Sequence, residues 1–200
     1  MSYIFKIKLR GLTKPSVWRR VSVPDNFTFA EFHLIIQAAF GWGNCHLYEF
    51  VDSLFRPKCR IAESSHFEFC DEDDVQNADE TIISGYFKSV GDKCVYTYDF
   101  GDDWTFRITS PGPVEQCVSQ GLLTENKFLK CVEKMEKTHR PVMLAHDGVM
   151  LIEDVGGING FCDFLELSHS DPPDDESAMA LFWASGQEWK ENFGSDINWL

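Results

Sequence analysis

Apolar and polar positions alternate most sharply in the run Tyr96-Thr97-Tyr98-Asp99-Phe100-Gly101-Asp102-Asp103-Trp104-Thr105-Phe106-Arg107-Ile108. A period of two places alternate side chains on opposite faces of a strand, so the run predicts a hairpin with one aromatic face. A three-residue loop, Gly101-Asp102-Asp103, pairs Phe100 with Trp104, Tyr98 with Phe106 and Tyr96 with Ile108. Asp103 suits the left-handed position such loops need. Tyr98, Phe100, Trp104 and Phe106 are therefore expected in the core, and Ser110-Pro111-Gly112-Pro113 closes the unit.

The N-terminal pattern is also two-fold. Tyr3 to Leu9 reads as a strand and Val17 to Val23 as its return across the turn Gly11 to Pro15. The period then changes. Phe29, Phe32, Ile36 and Phe40 recur at helical spacing, with Thr28 and Glu31 placed as a capping box, Phe27 against Phe32 as a staple, and Gly41 as the stop. His46 to Val51 reads as the next strand. Strand, strand, helix, strand is a β-grasp-like order, so the expected fold is α+β: one compact domain over residues 1–200, an antiparallel or mixed sheet, and packed helices.

Further along, periodicity fades. Residues 57–80 form a polar excursion, within which Asp71-Glu72-Asp73-Asp74 lacks the glycine of an EF-hand loop. Thr81 to Phe87 reads as a short helix, and Gly121 to Lys137 fits helix or strand. Glu153-Asp154-Val155-Gly156-Gly157 is an acidic turn leading into a helix near Phe161 to Leu167. A Pro/Asp linker, 168–176, precedes a helical stretch from Ser177 to Trp183.

Composition narrows the classes. Of 200 residues, 44% are hydrophobic and 14% aromatic, enough for a sizeable core. A formal net charge of -14 repels phosphate backbones, which argues against nucleic acid and for a basic protein or other cationic partner. The 7 cysteines contain no C-x-x-C pair, and no apolar run reaches membrane-spanning length, so a reduced, cytoplasmic setting is expected.

Trp18-Arg19-Arg20, Phe32-His33, Gly41-Trp42 with His46-Leu47, the Tyr96 to Trp104 run and Glu153-Asp154-Val155-Gly156-Gly157 follow one another in an order that resembles the plasmid pRiA4b ORF-3-like family, whose members include passenger proteins of insertion elements. The resemblance implies a compact α+β domain linked to mobile elements and names no activity. It also implies a His two residues after the hairpin Trp, where this chain has Phe106, and Pro-Pro before Glu-Asp, where it has Leu151-Ile152.

The chemistry-bearing residues are Asp99, Asp102, Asp103, Glu153 and Asp154, with His33 or His46 beside them. Crowded carboxylates need a cation. Either Arg19 or Arg20 clamps them, or a divalent metal such as Mg, Mn or Ca does. The missing His at 106 favours the arginine clamp and the absence of a cofactor. His33 shares the apolar side of its helix, so a hydrogen-bonded core role is expected. His46 and Glu49 face opposite sides of a strand, as do Cys45 and the His46 that follows it, and nothing in the sequence marks Cys45 as an activated thiol. Asp99-Phe100-Gly101 has no kinase phosphate loop to accompany it, and the C-terminus lacks the basic tail of a serine recombinase. The expected function is therefore a non-enzymatic binding or adaptor module that uses an acidic face. The alternative is a metal-dependent hydrolase or nuclease accessory built on the carboxylates.

Overall fold

Helix α1 (Phe29–Phe40) forms where its spacing places it. Thr28 Oγ1 accepts from the Glu31 N–H, Glu31 returns a carboxylate to the Thr28 N–H, and Gly41 ends the helix at φ 75°. Only glycine adopts that left-handed geometry without steric cost. Phe29, Phe32, Ile36 and Phe40 are fully buried beneath it. The computed structural model describes residues 2–65, 75–121, 123–138, 140–168, 175 and 198–199.

The helix lies on a nine-stranded mixed sheet. In chain order the strands are β1 (Ser2–Leu9), β2 (Trp18–Pro24), β3 (Tyr48–Val51), β4 (Arg60–Ala62), β5 (Val75–Asn77), β6 (Lys93–Tyr98), β7 (Trp104–Pro113), β8 (Val142–Asp147) and β9 (Asn198–Trp199). In space they run β5-β4-β3-β6-β7-β1-β2-β8-β9. The β1–β2–α1–β3 order is that of a β-grasp, but β6 and β7 lie between β1 and β3. The chain is thus α+β.

One sheet face meets α1 in an aromatic core. Phe32 packs on Phe5 at 4.6 Å between centroids, Phe29 on Phe50 at 4.9 Å, and Phe40 on Phe106 at 4.7 Å. Each such buried ring contributes roughly 1.5–3 kcal/mol through area removed from water. On the other face, α3 (Val114–Ser119) and α4 (Glu125–Thr138) cover one end, where Ile4, Val142 and Leu144 meet Cys117, Leu123 and Cys131. Helix α2 (Ile83–Tyr86) and α5 (Gly157–Ser168) complete the described elements. No described helix is long and apolar enough to cross a membrane.

Several expectations change. The hairpin pairs Tyr98 with Trp104, Tyr96 with Phe106 and Cys94 with Ile108, two residues from the predicted register. The faces survive because the shift is even. The cause is the turn: Asp99 and Asp103 both take positive φ, 55° and 51°, and the Asp103 N–H donates to the Asp99 carbonyl at 2.7 Å. Residues 99–103 thereby leave the ladder, and Phe100 is 43% exposed instead of buried. Ser110 to Pro113 do not close the hairpin. They extend β7 along β1, where Ile4 pairs with Gly112 across a bulge. The 57–80 excursion contains β4, which pairs with β3, and β5, which pairs with β4. Gly121 to Lys137 resolves as α4, and α5 begins at Gly157, ahead of the predicted Phe161. Strand β8 has no counterpart in the sequence reading. The acidic run 71–74 and the helical stretch 177–183 lie outside the described residues.

Candidate cation site at the hairpin tip

Three loops meet at one corner: the β6–β7 tip, the segment after α1, and the acidic turn before α5. Each carboxylate there has a local reason for its position. Glu153 Oε2 accepts from the Gly43 N–H at 2.7 Å, and its Oε1 accepts from the Tyr98 hydroxyl at 2.6 Å. Burial, with the Glu153 charge adding to it, pushes the Tyr98 phenol well up, so it stays protonated and donates. That hydroxyl in turn accepts from the Cys45 N–H at 2.9 Å. Asp102 Oδ2 accepts from the Gly156 N–H at 3.2 Å, and Asp103 Oδ1 from the Thr105 hydroxyl at 2.9 Å. Asp99 Oδ1 caps its own turn by accepting from the Gly101 N–H at 3.0 Å and the Asp102 N–H at 3.4 Å.

Three further ligand atoms converge on one point. His46 Nε2 sits 3.0 Å from Asp154 Oδ1 and 3.7 Å from Asp99 Oδ2, and one ligand atom from each residue lies within 4.8 Å of the other two. His46 Nε2 is shielded from solvent and makes no hydrogen bond among the described residues. The Asp154 side chain is 71% exposed and the Asp99 side chain 13% exposed, so the cluster opens outward on one side. Asp154 is held there with φ at 58°. One imidazole and two carboxylates suit Mn, Zn or Fe(II) better than Ca, and leave coordination positions open.

The predicted convergence of the two acidic loops is present. An added Cβ on Gly157, whose φ is 65°, would lie 2.1 Å from the Asp102 carbonyl oxygen. The arginine clamp is not what neutralises them. Arg19 faces the core, where Nε donates to the Ala39 carbonyl at 2.9 Å and the Nη atoms donate to the carbonyls of Trp18, Asp147 and Val149. Arg20 lies on the opposite sheet face, 5.7 Å over Trp18. Strand alternation separates these neighbours. Among the described residues, the basic side chain beside Asp99 and Asp154 is that of His46, at 3.7 and 3.0 Å.

His33 has the expected core role. It stacks on Tyr48 at 3.6 Å, its Nε2 donates to Asn44 Oδ1 at 2.6 Å, and its Nδ1 accepts from the Tyr96 hydroxyl at 2.7 Å. Burial lowers its pKa to about 4. Contrary to the strand reading, His46 precedes β3 in a loop, while Glu49 turns away to Arg60 at 3.3 Å. Position 106 is fully buried beside Phe40 and Trp42, so the missing His alters the core and takes no ligand from the corner. Tyr98 is the functional residue that sequence reasoning treated only as core. Its hydroxyl joins the corner because the aromatic face ends there.

The family model described as Plasmid pRiA4b ORF-3-like protein matches residues 1–121, more than half of the chain. The chain belongs to this family. A relative of the pRiA4b ORF-3-like chain, "Uncharacterized protein y4hQ" of Sinorhizobium fredii (strain NBRC 101917 / NGR234), is 29% identical over 180 residues, covering 88% of this chain and 77% of the relative. A solved structure, "Crystal Structure of Protein of Unknown Function MM3350 from Methanosarcina mazei Go1", is 25% identical with a TM-score of 0.63, covering 90% of this chain and 88% of that one. The β6–β7 tip and His46 fall within the family match, and the Asp154 turn falls outside it.

Proposed function

We propose that this pRiA4b ORF-3-like protein is a non-enzymatic binding module whose acidic corner captures a cation, and that the cation is a divalent transition metal held by His46, Asp99 and Asp154. One observation carries the reading: His46, Asp99 and Asp154 each turn one ligand atom toward the same point, within 4.8 Å of one another, while both oxygens of the neighbouring Glu153 are taken by hydrogen bonds of the fold. A cytoplasmic setting accords with the free thiols of Cys45, Cys59, Cys94, Cys117, Cys131 and Cys162. A link to mobile genetic elements rests on the family resemblance alone.

Calorimetric titration with Mn, Zn, Mg and Ca tests the reading. The expected result is one Mn or Zn per chain, weakened at least tenfold in Asp154→Asn, whose exposed side chain leaves the fold undisturbed. Metal at 100 times its Kd should stabilise the protein by about 2.7 kcal/mol, and chelator should reverse this. If none of the metals binds but a Lys/Arg-rich peptide does, the cation is a basic partner. Metal-dependent cleavage of a phosphodiester substrate, lost in Asp154→Asn, would replace this reading with a hydrolase.

A further inference from the structure

The sheet face opposite α1 holds a second charged surface, of the other sign. Phe5, Ile7, Leu9, Arg19, Val21, Phe106 and Ile108 are buried on the α1 side of the sheet, so their neighbours Lys6, Lys8, Arg20 and Arg107 share the opposite, open face. Register aligns them across three strands. Arg107 pairs with Lys8 and Lys8 with Trp18 in one row; Lys6 pairs with Arg20 in the next. Adjacent strands put neighbours about 5 Å apart, and adjacent rows lie about 7 Å apart. The grid continues to Lys93 and Arg10, which with Arg107 line a cleft of about 280 Å³ beside Leu54, Phe55 and Asp52, whose Oδ1 is held by the Lys58 and Cys59 N–H groups. None of these six cations forms an ion pair among the described residues. Their crowding is felt: burial, then the charges of Arg20 and Lys8, lower the Lys6 pKa.

Aromatic rings border the grid. Trp18 lies under the Lys6 ammonium at 4.5 Å and is pinned by its indole N–H, which donates to Asp147 Oδ2 at 3.2 Å. Phe55 is 78% exposed at the mouth of the cleft. A repeating array of cations on a flat sheet face, edged by rings, matches a chain of phosphates with stackable bases. An acidic peptide would more naturally add a strand at a sheet edge. The extent matters too. Six cations over β6, β7, β1 and β2 exceed the footprint of a mononucleotide. The net charge of -14 describes the whole chain and does not describe this face.

We infer that the open face of the β6-β7-β1-β2 region binds single-stranded nucleic acid, with phosphates on the Lys/Arg grid and a base stacked on Phe55. Fluorescence anisotropy with labelled dT20 and U20, the matching 20-mer duplex and polyglutamate tests this. Single strands should bind at 50 mM salt, with a log–log salt slope of about −3 to −4 for four to six phosphates. Lys8→Glu/Arg107→Glu should lose at least tenfold. Phe55→Ala should lose roughly 5- to 100-fold on single strands and nothing on polyglutamate. The charge-matched control Lys14→Glu/Lys88→Glu and the metal-site variant Asp154→Asn should bind as the parent does. The inference is overturned by absent binding at 50 mM salt, by tighter binding of duplex, by an equal loss in the control, or by polyglutamate binding as well as dT20 with Phe55 irrelevant. The last outcome would make the face an acidic-peptide surface. Thermal melts of each variant separate lost binding from lost fold.

Discussion

A buried guanidinium must find its counter-charge close by, and Arg19 finds it in carbonyl oxygens. The Ala39 carbonyl belongs to the last turn of α1, which has no basic residue of its own, so a strand residue supplies the positive charge that a helix C-terminus favours. The guanidinium also lies 4.7 Å over Phe40. Burial lowers its pKa to about 9, so it stays charged at neutral pH. Arg19→Ala should cost on the order of 3–5 kcal/mol in urea unfolding, through orphaned carbonyls and lost packing. Arg20→Ala should change stability by less than about 0.5 kcal/mol. Equal losses would refute the assignment of the two arginines to opposite faces. His33 gives a pH signature. Its folded pKa of about 4 lies below the ordinary 6.5, so between these values the unfolded chain binds the extra proton. The stability of neutral His33 is fully present above pH 6.5 and drains away as pH falls toward 4. The full loss is on the order of 3 kcal/mol. His33→Gln should flatten that part of the curve, as read from urea midpoints at pH 7 and 4.5.

Elements differ in how plainly the sequence announces them, and Gly157 shows why the loops between them matter. Its positive φ and the 2.1 Å approach to the Asp102 carbonyl leave no room for a methyl group. Gly157→Ala should destabilise by about 2–4 kcal/mol and, by separating the loops, weaken metal uptake at Asp154. A variant with unchanged stability and metal affinity would contradict the packed-loop description. Helix α1 is legible because cap, staple, period and stop agree on the same residues. The β6–β7 hairpin is legible in its faces and misread in its register, since Asp99 and Asp103 both adopt left-handed geometry that their type permits and does not dictate. Strand β8 is hard to read because Val142 and Leu144 serve one face while Met143 serves the other, giving a continuous apolar run. Strands β4 and β5 have three residues each, too few for a period to register.

Across the whole molecule, the carboxylates gather at the hairpin corner and a group of cations gathers on the open sheet face. The acidic corner is legible because its carboxylates cluster along the chain in two short runs. The basic face is not, because Lys8 and Arg107 become neighbours only through the pairing of β1 with β7. Likewise His46 joins Asp99 and Asp154 only when three loops meet, so the chain order alone favours the adjacent arginines. The position of β1 has a consequence in time. It is flanked by β2 and by β7, whose Ile108 faces Ile7, and β2 in turn waits for Asp147 to face Trp18. Contacts this distant along the chain slow folding, because loop closure precedes any gain. During synthesis at about 5–20 residues per second, one edge of the β1–β2 hairpin would stand open for about 5–20 s before β7 emerges. The nascent chain therefore offers an aromatic-rich, unpaired strand to chaperones or to other chains well before its central sheet can close.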